Sequence, residues 1–248
     1  MKKLALLIVS VLLVSLLAHG VLAKDDDNVL KVAASCDFPP FEFVDEETGE
    51  YVGFDLDLVK AIAKEMGMEV EIINTAWDGL IPGLLNNNYD MIASAMTITE
   101  ERKMAVDFSD PYFQAKQVIL VPIDDNSIKS VEDLKGKIVT VQIGTTGDFT
   151  ASEIKGLKKV ARFNLAPEAI QEVLNGNAAA CIIDNIVAVQ YIKENPGKVK
   201  IVEGDFFGSE SYGLAIKKGN KELLEQVNKA LKTIKANGIY DKIASTWF

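Results

Sequence analysis

Residues Gly53–Ala93, GFDLDLVKAIAKEMGMEVEIINTAWDGLIPGLLNNNYDMIA, decide how this chain folds. Leu56, Val59, Ile62, Ala63 and Met66 fall at helical spacing, and Gly67 closes that run as a C-cap. Glu69 to Ile73 then reads as a strand, Asp78 can cap a helix through Leu85, and Asp90 to Ala93 reads as a further strand. Strand alternating with helix over so short a span predicts an α/β fold on a mainly parallel sheet.

Working outward, Val29 to Ala34 reads as a buried strand behind a polar leader, Lys24-Asp25-Asp26-Asp27-Asn28. Downstream the same grammar restarts. Lys137 to Gln142 is strand-like, Thr145 opens a helix, Val160 to Phe163 is strand-like, Pro167 begins a helix to Leu174, and Ala179 to Ile183 is strand again. Asn185 to Glu194 follows as a helix, stopped at Asn195-Pro196-Gly197. Two α/β blocks predict two lobes, and Asp107-Phe108-Ser109-Asp110-Pro111-Tyr112 between them carries the turn chemistry of a connection. The tail from Asn220 to Phe248 is amphipathic, with Leu223, Leu224, Val227, Leu231 and Ile234 on one stripe and a break at Gly238.

The 248 residues are 48% hydrophobic and carry 26 Lys+Arg against 36 Asp+Glu, a formal charge of -10. That is ample material for one or two cored domains, and its acidic balance argues against nucleic acid or an anionic membrane surface as partner. Lys2 and Lys3, the apolar run Leu4 to Ala18 and the compact Val21-Leu22-Ala23 predict a cleaved signal peptide over residues 1–23. The run is shorter than the ~20 residues of a membrane span. Cleavage removes two lysines, taking the formal charge from -10 to -12, and removes the single histidine, His19. A chain so processed has no imidazole for a Ser-His-Asp triad, a Cys-His pair or a His-ligated zinc. Cys36 and Cys181 each lie in an apolar, strand-like stretch; two buried unpaired thiols are the simpler expectation and a long-loop disulfide the alternative.

Three constellations could carry chemistry. In Thr97-Ile98-Thr99-Glu100-Glu101-Arg102-Lys103, Thr97 and Glu100 fit a capping box, and an Arg on that first turn can either pair locally or aim its donor fork at a carboxylate in a crevice. Gln142-Ile143-Gly144-Thr145-Thr146-Gly147-Asp148 ends a strand in a turn whose backbone N–H groups suit an anion, or is a plain capped turn; it lacks the phosphate-loop Gly-Lys-Ser/Thr ending. Asp184 ends an apolar strand, either as the N-cap of the next helix or as an acceptor for a cation. An arginine, an anion nest and a carboxylate together complement an α-amino acid zwitterion.

Asp37-Phe38-Pro39-Pro40-Phe41-Glu42-Phe43, Val52-Gly53-Phe54-Asp55-Leu56-Asp57-Leu58, Thr97 to Lys103 and Asp107 to Tyr112, in that order, resemble the polar-amino-acid solute-binding proteins (family 3) of ABC importers, with motifs nearest the arginine-binding members. The resemblance implies a two-lobed periplasmic-binding-protein (flytrap) fold with two hinge crossings, near Asp110 to Ala115 and Gly208 to Tyr212. Lobe 1 would then hold residues 29–111 plus 208–248, and lobe 2 residues 112–207. By the same resemblance Arg102 grips the ligand α-carboxylate with backbone N–H groups near Thr97 and Thr145. Asp184 takes the α-ammonium, with the Ala95 carbonyl and Thr97 hydroxyl around it, and Phe38 and Trp77 sandwich the ligand side chain. Met96 joins this ligand-binding set. Ser35 stands where several members that bind lysine, ornithine or glutamine carry Asp, which counts against lysine. Glu42 and Gln142 are then the candidates to meet the side-chain end, and Gln142 with Thr145 and Thr146 looks most like the arginine binders.

The function expected from these features is non-catalytic: capture of a polar L-amino acid, arginine before glutamine or lysine, in the periplasm and its delivery to an ABC permease of the inner membrane. A monomer is expected, with no metal, cofactor or nucleic acid. The competing expectation is a dehydratase acting on prephenate- or arogenate-like acids on the same scaffold, with Glu42 as the carboxyl acid. A receptor ectodomain is disfavoured because no apolar span follows the second block. Without histidine, ligand affinity is expected to be nearly flat from about pH 6 to 8.

Overall fold

The computed structural model describes residues 28–248; the expected signal peptide, His19 and most of the polar leader lie outside the described residues. The chain runs β1 (Val29–Ala34), the short β2 (Asp37–Phe38), β3 (Glu42–Val44) and β4 (Tyr51–Val52), then α1 (Phe54–Glu65), β5 (Glu69–Asn74), α2 (Leu80–Leu85), β6 (Met91–Ile92), α3 (Glu100–Ala105) and β7 (Val106–Phe108). It continues through β8 (Phe113–Pro122), β9 (Ile138–Gln142), α4 (Thr146–Glu153), β10 (Lys159–Phe163), α5 (Ala166–Leu174), β11 (Ala180–Asp184), α6 (Asn185–Glu194) and β12 (Val199–Ile201). After β13 (Ser209–Tyr212) and β14 (Ala215–Lys217), the helices α7 (Lys221–Ala236) and α8 (Ile239–Trp247) complete it.

Two α/β lobes form around two sheets. The first has strand order β5-β1-β6-β14-β7 and the second β10-β9-β11-β8-β12, while β2, β3 and β4 make a small third sheet. The expected parallel strands are present: β1 runs with β5 and β6, and β9 with β10 and β11. Each sheet is nevertheless mixed, because a returning strand inserts antiparallel: β14 between β6 and β7, and β8 between β11 and β12. β8, ten residues long, is flanked by no helical repeat and so is not announced by the alternation that reveals its neighbours. The two crossings between the sheets are themselves paired, Phe113 opposite Tyr212 and Lys116 opposite Ser209, making one antiparallel ribbon.

Local chemistry explains the elements around the cleft. The α1 stripe buries Leu58, Val59, Ile62 and Ala63, with Asp55 and Asp57 in its first turn. Its N-cap is Gly53 at φ 137°, and a Cβ there would lie 2.1 Å from the Phe41 carbonyl oxygen, so only glycine lets this loop close. Asp78 does not cap α2; Trp77 to Gly79 form a 3-10 turn leading into it. The α3 cap is Thr99 rather than Thr97: Thr99 is extended (φ -123°) and its hydroxyl accepts from the Arg102 N–H, while the Thr97 hydroxyl is drawn to Glu210. Beside the ribbon, Phe41 meets Phe113 and Tyr212 edge-on at ring centroids of 5.0 and 5.2 Å, and Phe54 lies 5.0 Å from Phe248. Cys36 and Cys181 are free, buried thiols, each pushed up to about 12 by burial.

Candidate functional site

A cleft of about 310 Å³ is lined from both lobes, and its residues follow the carboxyl ends of the parallel strands. Asp37 and Phe38 come after β1, Trp77 after β5, and Ser94 and Ala95 after β6; Gln142 ends β9 and Asp184 ends β11. This is where α/β sheets leave unfilled space, because helices cover their faces but not their strand ends.

Arg102 is buried on α3. Its Nη1 donates to the Thr97 carbonyl at 2.8 Å and its Nη2 to the Gly144 carbonyl at 3.3 Å, while its Cζ lies 5.2 Å from the centroid of the Trp77 ring. Two anchors and a stacked aromatic fix the fork, and three of its five N–H donors remain for an anion. Burial pulls its pKa below the usual arginine range, and the carboxylates of Glu210 and Asp184 oppose that shift. Arg102 stays cationic and, among the described residues, is the one Lys or Arg lining the cleft.

Asp184 is buried at the end of β11, at the N-cap position of α6 but without a side-chain cap bond. Its Oδ1 accepts instead from the Tyr212 hydroxyl. Burial pushes the carboxyl up to about 6, and the Tyr212 hydroxyl bond pulls the other way. Desolvation disfavours its charged form, so a cation in the cleft relieves a strain already present.

Asp37 is a cleft carboxylate that the sequence reading passed over. Its Oδ1 accepts from the Ser35 hydroxyl at 2.9 Å. Its Oδ2 accepts from Gln142 Nε2 and from the Ala166 N–H at the start of α5, both at 3.2 Å. Three of its roughly four acceptor positions are thereby filled, leaving room for one more donor. Ser35 itself does not line the cleft; the acid two residues on does, with the Ser35 hydroxyl bonded behind it. Burial raises the Asp37 pKa, again favouring a cationic neighbour.

Of the twelve expected residues, Arg102, Asp184, Thr97, Ala95, Thr145, Thr146, Phe38, Trp77 and Gln142 line the cleft. Ser35, Met96 and Glu42 do not. Met96 is buried in the core cluster against which Trp77 packs. Glu42 is completely buried behind the wall, its Oε1 accepting from Ser94 Oγ at 2.9 Å, so it is not poised to meet a ligand side chain. The turn after β9 is also less open than expected: the Gly144 N–H donates to Asp148, which Arg162 pairs at 2.9 Å. The N–H groups of Thr145 and Thr146, at the N-cap and first position of α4, have no intrahelical acceptor and remain available.

Glu210 on the ribbon strand β13 was likewise not signalled by sequence. Its Oε2 accepts from the hydroxyls of Thr97 and Thr146, each at 2.8 Å, joining one residue from each side of the cleft. It sits in Gly208-Ser209-Glu210-Ser211, where nothing but the ribbon pairing brings it to the site.

The profile of the bacterial extracellular solute-binding proteins, family 3, matches residues 30–248. A probable histidine-binding protein of Neisseria gonorrhoeae is 39% identical over 230 residues, 91% of this chain and 85% of its own. ABC transporter arginine-binding protein 1 of Escherichia coli (strain K12) is 34% identical, covering 100% of this chain and 99% of its own. An ancestral arginine-binding protein, solved with arginine and with glutamine bound, is 50% identical with a TM-score of 0.85 in each case, over 89% of this chain and 98% of that one. A two-lobed α/β frame, a cleft at the strand ends and a match across nearly every described residue lead to one assignment: the chain belongs to the bacterial extracellular solute-binding proteins, family 3.

Proposed function

We propose that this protein captures L-arginine in the periplasm by closure of two lobes, residues 29–111 plus 208–248 and residues 112–207, and hands it to an ABC permease of the inner membrane. The observation that carries the reading is the charge arrangement of one cleft: a single guanidinium, Arg102, with two carboxylates, Asp184 and Asp37. Arg102 suits the α-carboxylate and Asp184 the α-ammonium. Asp37, beside Phe38, suits a cationic side chain, and Phe38 and Trp77 supply apolar and aromatic surface for its stem. A neutral side chain such as that of glutamine would leave Asp37 uncompensated. Ligand groups bonded to both lobes favour the closed state over the open one.

The dehydratase reading is weaker, because its acid candidate Glu42 is turned to Ser94 behind the cleft wall. Calorimetric titration with arginine, lysine, histidine, ornithine and glutamine tests the proposal. Arginine is expected to bind most tightly; glutamine binding at least as tightly as arginine would refute the assignment of Asp37 and with it the substrate.

A further inference from the structure

Behind the cleft wall lies a carboxylate that capture, as described, does not use. Asp55, in the motif Val52 to Leu58, is completely buried in the first turn of α1. Its Oδ2 accepts from the Ala95 N–H at 2.7 Å and from the Tyr112 hydroxyl at 2.6 Å, while its Oδ1 has no partner among the described residues. Ala95 lines the cleft at φ 44°, in the left-handed region that a residue with a Cβ occupies only when its surroundings hold it there. Its carbonyl accepts no backbone hydrogen bond from the described residues. A buried, half-satisfied carboxylate is an expensive way to fill space that an apolar side chain could fill. Its one bond to the cleft wall is the one to Ala95.

We propose that Asp55 is a positioning residue for recognition of the ligand α-ammonium: by gripping the Ala95 N–H it fixes the left-handed turn and so keeps the Ala95 carbonyl free to accept from the ammonium alongside Asp184. The other donor to the same oxygen, Tyr112, stands on the ribbon side of Asp55 and does not line the cleft. That supplies an internal control. Loss of the Tyr112 bond should weaken the fold without changing ammonium recognition, whereas loss of Asp55 should change recognition itself.

The test compares L-arginine with 5-guanidinopentanoic acid, the same molecule without its α-ammonium, by calorimetric displacement on wild type, Asp55→Ala and Tyr112→Phe. Asp55→Ala is expected to weaken L-arginine at least tenfold and the desamino acid less than threefold. Tyr112→Phe should lower Tm and leave the ratio of the two affinities within threefold of wild type. Parallel losses for both ligands in Asp55→Ala would reduce Asp55 to a structural role and overturn the proposal. Should that variant fail to fold, the wild type decides: the Ala95 carbonyl carbon resonance is expected to shift with L-arginine and not with the desamino acid, and equal shifts would overturn it. The proposal rests on the amino-acid reading, and the two fail separately. Wild-type protein that binds no L-amino acid sinks that reading, while tight arginine binding with unaltered discrimination in Asp55→Ala sinks only this one.

Discussion

Replacing Asp37 by Asn removes one negative charge from the cleft and little else. The carboxylate holds Gln142 Nε2 and the Ala166 N–H on one oxygen and the Ser35 hydroxyl on the other. An Asn oxygen can keep the first two bonds, and its amide can donate to Ser35, whose hydroxyl turns to accept. The scaffold is retained, so the change in affinity reports the charge. A hydrogen bond to a charged group contributes about 1.5–3 kcal/mol and a neutral one about 0.5–1.5. Arginine should therefore lose about 1–2 kcal/mol, roughly 5- to 30-fold in Kd. Glutamine, which brings no side-chain charge, should change less than about threefold. Calorimetry with both ligands on wild type and Asp37→Asn gives the ratio directly. Equal losses for arginine and glutamine would show that Asp37 serves only as a tether between β2 and α5, and the charge argument would fall.

Arg102→Ala removes the cleft's one cation, and with it two or more charge-assisted bonds of about 1.5–3 kcal/mol each. The rise in Tm that arginine produces should vanish, and an undiminished rise in scanning calorimetry would contradict the assignment. For pH, if Asp184 takes the ligand ammonium as proposed, binding needs its ionised form, and burial pushes that carboxyl up to about 6. Arginine affinity should be steady above about pH 7 and fall up to tenfold per pH step below 6. The groups around that carboxyl, Tyr212, Gln117, Glu210 and Arg102, include no histidine to mask the effect. Titrations at pH 5, 6, 7 and 8 check it, and a profile flat down to pH 5 would rule it out. Gly53→Ala forces a Cβ to 2.1 Å from the Phe41 carbonyl oxygen at a φ of 137°. A loss of about 3 kcal/mol, or roughly 6–12 °C in Tm, is expected, and a melting curve matching wild type would show that the loop can move aside.

Much of the fold is legible in the sequence because parallel strands and their crossover helices alternate in period. β9, α4, β10, α5 and β11 all fall where Lys137 to Ile183 places them. β8 and β14 escape because nothing local marks a strand that enters a sheet antiparallel from across a hinge. Arg102 and Asp184 are legible as a charged fork on a first turn and an acid at a strand end. Asp37 is not, since an acid in a short loop reads as solvated until Ser35, Gln142 and Ala166 are seen to enclose it. Thr97 fails as the α3 cap for a similar reason: its spacing to Glu100 suits a capping box, but its hydroxyl is bonded to Glu210, 113 residues away, and Thr99 caps the helix instead. The expectation of a pH-flat affinity is narrowed by burial, which moves Asp184 to about 6 and Asp55 to about 7, into a range where unperturbed carboxylates do not titrate.

The insertion of β14 between β6 and β7 bears on the order in which the molecule can be made. Until Ala215–Lys217 exist, β7 has no neighbour and the first sheet is two partial pieces, although it contains β1, the first of the described strands. The strands of the path β10-β9-β11-β8-β12, by contrast, are all present once Ile201 has emerged. A chain growing from its N-terminus therefore completes its second sheet before its first, and the first stays open until β14 arrives at residues 215–217 of 248. On the periplasmic reading proposed above, this delay suits passage across a membrane as an unfolded thread: the half that leads the way cannot lock until nearly the whole length has been made.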